Sequence, residues 1–201
     1  MRHLKILLVL ITFILLANCS QKQQARRPIS QTSNTFMKES VARNKIMIKG
    51  EEGKIDSVIK SNPKNQYIAS KKGYWYFYEI KSTNSDTLKP KKGDIAYFDY
   101  EIKDLKGNVI YSDIELKPQV YKVDKENIIT GLQDGIKLMK KKEKVTFLFP
   151  SHIAYGFRGD TKRIKSSMPI VCTVTLNDFK SEKLVNPITP KLTPKTEIKP
   201  E

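Results

Sequence analysis

This sequence predicts an α+β fold, a short helix packed on an antiparallel sheet, and three observations carry the prediction. Leu132, Ile136 and Met139 stand at i, i+4 and i+7, so they share one face of a short helix. Val145, Phe147 and Phe149 then alternate as the inward residues of a half-buried strand do. Upstream, Gly73-Tyr74-Trp75-Tyr76-Phe77-Tyr78 reads as an aromatic strand that opens the domain.

The elements follow in chain order. Arg2, His3 and Lys5 precede an apolar run over residues 6–17, shorter than the ~20 residues a bilayer-spanning helix needs. Residues 1–18 are therefore expected to be a signal peptide. The run ends in Leu16-Ala17-Asn18-Cys19, which resembles the bacterial lipoprotein box, so Cys19 is the expected lipidation site. Residues 19–35 are rich in Gln, Ser and Arg without an apolar period, as a flexible lipid-anchored tether would be. In residues 36–62, Val41, Ile46, Ile48, Ile55 and Ile59 recur among charged residues, after the capping candidates Asn34 and Thr35. This predicts a helical extension that Gly50 and Gly53 kink or divide and that Asn62-Pro63 ends. Pro90-Lys91-Lys92-Gly93 is a turn into the second strand. In the short helix Thr130 is placed to cap, Asp134 to sit near the positive end, and Lys137 and Lys140 near the negative end. Apolar alternation stops at Phe179, and residues 181–201 form a Pro/Lys/Thr-rich tail with nothing to bury.

The order of these parts resembles the FK506-binding-protein (FKBP) family of peptidyl-prolyl isomerases, whose antiparallel sheet wraps around one short helix. Ile128-Ile129-Thr130-Gly131-Leu132 matches the family's Val-Ile-x-Gly-Trp segment, and Pro150-Ser151-His152-Ile153-Ala154-Tyr155-Gly156 its Pro-x-x-x-Ala-Tyr-Gly loop. Residues 92–100 resemble its Lys-x-Gly-Asp strand, residues 106–112 its Asp-Gly-x-x-Phe-Asp-Ser turn, and residues 164–171 the segment before the last strand. The likeness covers roughly residues 72–180. The aromatic run after a helical lead also resembles GldI, the gliding-motility lipoproteins of that family. Some secreted members dimerise through an N-terminal helical region, so residues 36–62 are a candidate homodimer element, or a helix that docks on its own domain.

The chemistry implied is rotation about an X–Pro bond, whose barrier of ~18–20 kcal/mol comes from amide resonance. Lowering it needs no nucleophile, metal or cofactor. It needs an apolar pocket that strips water from the prolyl ring and favours the twisted amide, with a few hydrogen-bond donors. By resemblance Tyr100, Tyr155 and Ile129 carry catalysis. Tyr155 would donate its hydroxyl, and Ile129 its backbone N–H, to substrate carbonyls. Ile128, Ile129 and Ile164 would form the walls. The family's floor tryptophan is Leu132 here, its pocket phenylalanine is Ile110, the aspartate that partners Tyr100 is Tyr111, and a second phenylalanine is Cys172. Tyr121 stands for the aromatic after the bulged strand. These changes keep the pocket apolar but remove ring area, so weaker catalysis than in the family's best members is expected. Asp113 could stand in for the missing acid if its strand stays regular.

Other chemistries find no residues. His3 lies in the signal and His152 stands alone, so neither a His-based triad nor a His metal cluster can be assembled, and no cofactor is expected. The formal charge of +16 falls to +14 when Arg2 and Lys5 leave with the signal. No nucleic-acid motif accompanies it, which leaves a solvated basic surface or attraction to anionic headgroups. Cys172, the one cysteine besides Cys19, is expected to be a small buried hydrophobe. The expected partners are proline-containing client proteins and the membrane. The expected location is a bacterial cell envelope, facing the periplasm, on the outer rather than the inner membrane because Ser20 follows Cys19. Two functions compete: a lipid-anchored isomerase assisting envelope protein folding, and a catalytically weak or inactive FKBP-like chaperone or scaffold.

Overall fold

The computed structural model describes residues 33–83 and 87–181. The signal, Cys19, most of the tether and the tail lie outside the described residues. The chain divides into two units between Val41 and Ala42. In the first, Phe36, Met37 and Val41 are exposed on helix α1 (Ser33–Ser61). No helix among the described residues is long and apolar enough to cross a membrane.

The second unit carries the α+β architecture. Seven antiparallel strands, β1 (Ile68–Ala69), β2 (Trp75–Ile80), β3 (Ile95–Lys103), β4 (Val109–Tyr111), β5 (Gln119–Lys122), β6 (Lys144–Phe149) and β7 (Ile170–Lys180), form one sheet. Its order is β1-β2-β6-β7-β3-β4, and β5 also pairs with β3. Thus β4 and β5 share one edge of β3: β5 pairs with Ile95 to Phe98, and β4 with Ile102 and Lys103. Between them stands the single-turn helix α2 (Asp113–Leu116), capped by Ser112, whose hydroxyl accepts from the Glu115 N–H. Helix α3 (Thr130–Ile136) buries Gly131, Leu132, Gly135 and Ile136.

Two glycines explain how closely α3 approaches the sheet. A Cβ on Gly131 would stand 2.6 Å from the Phe149 ring, and one on Gly135 would stand 2.8 Å from the Phe147 ring. Those rings stack on each other at 5.3 Å, and Tyr74 meets both edge-on. The helix therefore lies backbone against ring. Leu132, Ile136 and Met139, expected on one helical face, are all buried in this core.

Several local expectations need correction. Thr130 does not cap α3: Ile129 is the N-cap residue, no side chain caps the end, and Thr130 is exposed. The Gln133 amide instead ties the entry by donating to Ile128 O at 3.0 Å. Asp134 lies late in the helix, where its carboxylate accepts from the Tyr74 hydroxyl at 2.9 Å. Strand β6 is not half-buried, since Thr146 and Leu148 are as enclosed as Val145, Phe147 and Phe149. Leu148 is covered because α1 runs uninterrupted through Gly50 and Gly53. Its later part buries Ile55 completely, and Val58 shares a cavity wall with Tyr67, Phe77, Leu148 and Val171. Neither glycine kinks the helix, because its hydrogen-bonded ladder tolerates Gly at a cost of only about 1 kcal/mol. The folded unit accordingly starts before residue 72: β1 pairs Ile68 with Tyr76, and the α1 segment behind it is packed.

Candidate active site

The site is built where β3, β4, α3 and the loop after β6 meet. Tyr100 comes from β3, Ile110 and Tyr111 from β4, Ile128 and Ile129 from the lead into α3, and Leu132 from its buried face. Strand β6 ends at Phe149, and two 3₁₀ turns, Ser151–Ile153 and Gly156–Arg158, carry the chain past Tyr155. Ile164 follows in the same loop, and Cys172 comes from β7.

Electrostatics show that the tyrosines converge. Burial pushes the Tyr155 hydroxyl well above its ordinary value, and Tyr100, Cys172, Asp160 and Tyr111 act on it in the same direction. Burial likewise raises Tyr100, with a further push from Cys172. Both phenols stay protonated at any physiological pH, so both are hydrogen-bond donors. Among the described residues no protein group holds either hydroxyl. Every buried side-chain polar atom there does have a partner, so these two oxygens must open to solvent. The backbone N–H of Ile129 also finds no acceptor, although its carbonyl accepts from Leu132 and Gln133.

The other predicted pocket residues are apolar members of one core cluster. Leu132 is 3% exposed, Ile164 2% and Cys172 0%, and Ile110, Ile128 and Ile129 pack partly buried against the same core. Burial drives the Cys172 thiol far above its ordinary value, which makes it an inert wall group rather than a nucleophile. Tyr121, from β5, is 1% exposed, as enclosed as Leu132, Ile164 and Cys172, and its hydroxyl accepts the Asp124 N–H at 2.9 Å.

The acid missing beside Tyr100 is not replaced by Asp113. Strand β4 stops at Tyr111, and Asp113 opens α2, exposed, accepting from the Ile114 N–H. An acid arrives from the other side instead. Asp160 takes the Tyr111 hydroxyl with one carboxylate oxygen and the N–H groups of Lys162, Arg163 and Ile164 with the other. Arg163 lies over the Tyr111 ring at 4.8 Å, donates to Ile110 O at 2.8 Å and pairs with Glu115 at 2.7 Å. Sequence reasoning missed Asp160 and Arg163. The available signal was Gly159-Asp160, a turn pair whose Asx side chain commonly takes backbone N–H groups two or more residues on. No group of three or more His, Cys, Asp or Glu among the described residues could hold a metal.

These residues therefore supply two hydroxyl donors and one backbone N–H without a protein partner among the described residues, beside apolar side chains of one buried cluster. Residues 86–177 match the family model described as FKBP-type peptidyl-prolyl cis-trans isomerase. A solved peptidyl-prolyl cis-trans isomerase from Pseudomonas syringae pv. tomato superposes with a TM-score of 0.55 at 19% identity, covering 68% of this chain and 96% of that one. FkpA from Escherichia coli superposes with a TM-score of 0.54 at 21% identity, covering 86% and 81%. No curated protein sequence matches the chain.

Proposed function

We propose that this chain, whose residues 86–177 match the family model described as FKBP-type peptidyl-prolyl cis-trans isomerase, is a lipid-anchored isomerase of proline-containing client proteins in a bacterial cell envelope. The observation that supports the catalytic part is that the Tyr155 hydroxyl and the Ile129 N–H have no protein partner among the described residues, while Leu132, Ile164 and Cys172 belong to the core against which Tyr155 and Ile129 pack. A prolyl ring settles on the apolar floor and loses its water. The two donors take the substrate's carbonyls, and the amide turns about its C–N bond. Twisting removes resonance and with it much of the amide's polarity, so a dry apolar site favours the twisted state over the planar one. Each ~1.4 kcal/mol of that preference is worth about tenfold in rate.

The envelope part rests on sequence: the basic start, the apolar run over residues 6–17 and Cys19 at its end support lipidation and export. Ser20 after Cys19 favours the outer membrane, and the aromatic run over residues 73–78 supports a role in gliding motility. A second reading, a weakly active or inactive scaffold, is favoured by two observations. Leu132 leaves a smaller floor than a tryptophan would, and the Tyr111 hydroxyl is committed to Asp160.

Isomerisation of a short X–Pro peptide by the full soluble chain separates the two. The enzyme reading expects catalysis that Leu132→Trp alters. A folded protein inert on every X–Pro peptide, with or without that substitution, leaves the scaffold. For the anchor, Cys19→Ala is expected to abolish acyl labelling and release the protein from membranes. Retention without label removes the lipid from the account.

A further inference from the structure

Helix α1 lies outside the residues that match the isomerase family, yet one of its side chains reaches the loop that carries Tyr155. Glu51 is 3% exposed. Its two carboxylate oxygens are divided between two donors of one residue: Oε2 accepts the Ser151 N–H at 2.7 Å and Oε1 accepts the Ser151 hydroxyl at 2.7 Å. Ser151 is itself 3% exposed and is the first residue of the 3₁₀ turn between Phe149 and Tyr155. Its carbonyl accepts the Ala154 N–H at 3.0 Å, so the residue Glu51 grips is also the one that closes the turn immediately before Tyr155. No cation neutralises Glu51 among the described residues. The carboxylate is enclosed, and these two hydrogen bonds offset the cost of burying it. An apolar side chain in its place would leave the Ser151 N–H and hydroxyl buried without a partner.

We infer that Glu51 is a positioning residue for the prolyl isomerase site, by which the helical extension sets the geometry of the Tyr155 loop. This rests on the reading of Tyr155 as a pocket donor. A hydrogen-bonded loop start holds the Tyr155 hydroxyl at one distance from the Ile129 N–H. A loop freed at Ser151 samples several, and misplacement of a donor costs rate while leaving the apolar floor to bind as before. The loss belongs in kcat rather than in KM.

The full soluble chain is compared with Glu51→Ala, Glu51→Gln and Ile55→Ala. Glutamine can accept the Ser151 N–H and donate to its hydroxyl, so it keeps the grip without the charge. Ile55→Ala loosens the same helix without touching Ser151. Well below the melting temperatures, Glu51→Ala is expected to lower kcat severalfold with KM nearly unchanged, because misplacing a donor costs rate and not binding. Glu51→Gln should restore most of it, and Ile55→Ala should lower Tm while leaving kcat within about twofold. Amide hydrogen exchange supplies a readout that needs no catalysis: in Glu51→Ala the amides of residues 151–156 should exchange faster while those of β6 and β7 do not. Unchanged exchange in that loop, or equal losses of kcat in Glu51→Ala and Ile55→Ala, overturns the inference. An inert wild type would remove Tyr155 from catalysis, and the exchange data would still judge Glu51.

Discussion

The Tyr111 hydroxyl donates to the carboxylate of Asp160, forty-nine residues further along the chain, and joins strand β4 to the loop beyond Tyr155. Burial alone would raise the Asp160 carboxyl. The hydrogen bonds from Tyr111 and from the N–H groups of Lys162, Ile164 and Arg163 outweigh that and hold it below its ordinary value of 3.8. Tyr111 responds oppositely, raised first by that same hydrogen bond.

A pH dependence follows with a definite sign. The folded-state value of Asp160 is depressed, so its stabilisation is fully present above the unfolded value and is lost as pH falls through the folded one. The Tm difference between wild type and Asp160→Asn should be constant from neutrality down to the ordinary carboxylate range and shrink below it. A difference that widens on acidification would contradict the assignment. The group is only partly buried, so the effect should also weaken at high salt.

Tyr155→Phe removes a hydroxyl without a protein partner and no packing area. The expected result is a severalfold fall in kcat/KM, about 1 kcal/mol, with Tm nearly unchanged. A clear drop in Tm with intact activity would instead mark the hydroxyl as a structural group.

Two glycine-to-alanine changes should have opposite signs. At Gly131 the new Cβ meets the fully buried Phe149 ring at 2.6 Å, and that ring is stacked on Phe147 and cannot retreat. Overpacking of this kind costs about 1–3 kcal/mol. At Gly53, exposed on α1, nothing lies within 4 Å, and alanine should stabilise by about 0.5–1 kcal/mol. Urea unfolding of both variants measures the pair, and like signs would mean that α3 does not rest on Phe149 as described.

Truncation tests the role of the helix in the fold. A fragment spanning residues 73–180 lacks β1 and the α1 segment, uncovering Leu148 and removing the buried Ile55. It should melt well below a fragment spanning residues 42–180, since burying one such side chain contributes about 1.5–3 kcal/mol. Equal melting temperatures would show that the sheet needs no cover on that face.

What the sequence determined by itself is local: the helix face of Leu132, Ile136 and Met139, the strand at β6, and the order of strands and turns. Each depends on a period or a turn residue within a few positions, and so it is legible without a partner. The placement of Tyr100, Tyr155 and Ile129 came through motif order, and burial then gave the two tyrosines their character as donors. Tertiary structure alone decided the rest. Tyr121 is enclosed because β5 pairs it with Ala96 on β3 and its hydroxyl accepts the Asp124 N–H. The acid beside the site is Asp160 rather than Asp113 because β4 ends early and a distant loop folds back over it. Glu51 reads as one more acid on a charged helix, and its partner, a hundred residues away, is set by the docking of α1 on the sheet. Contacts between segments so far apart depend on how whole elements pack, and no period along the chain records them.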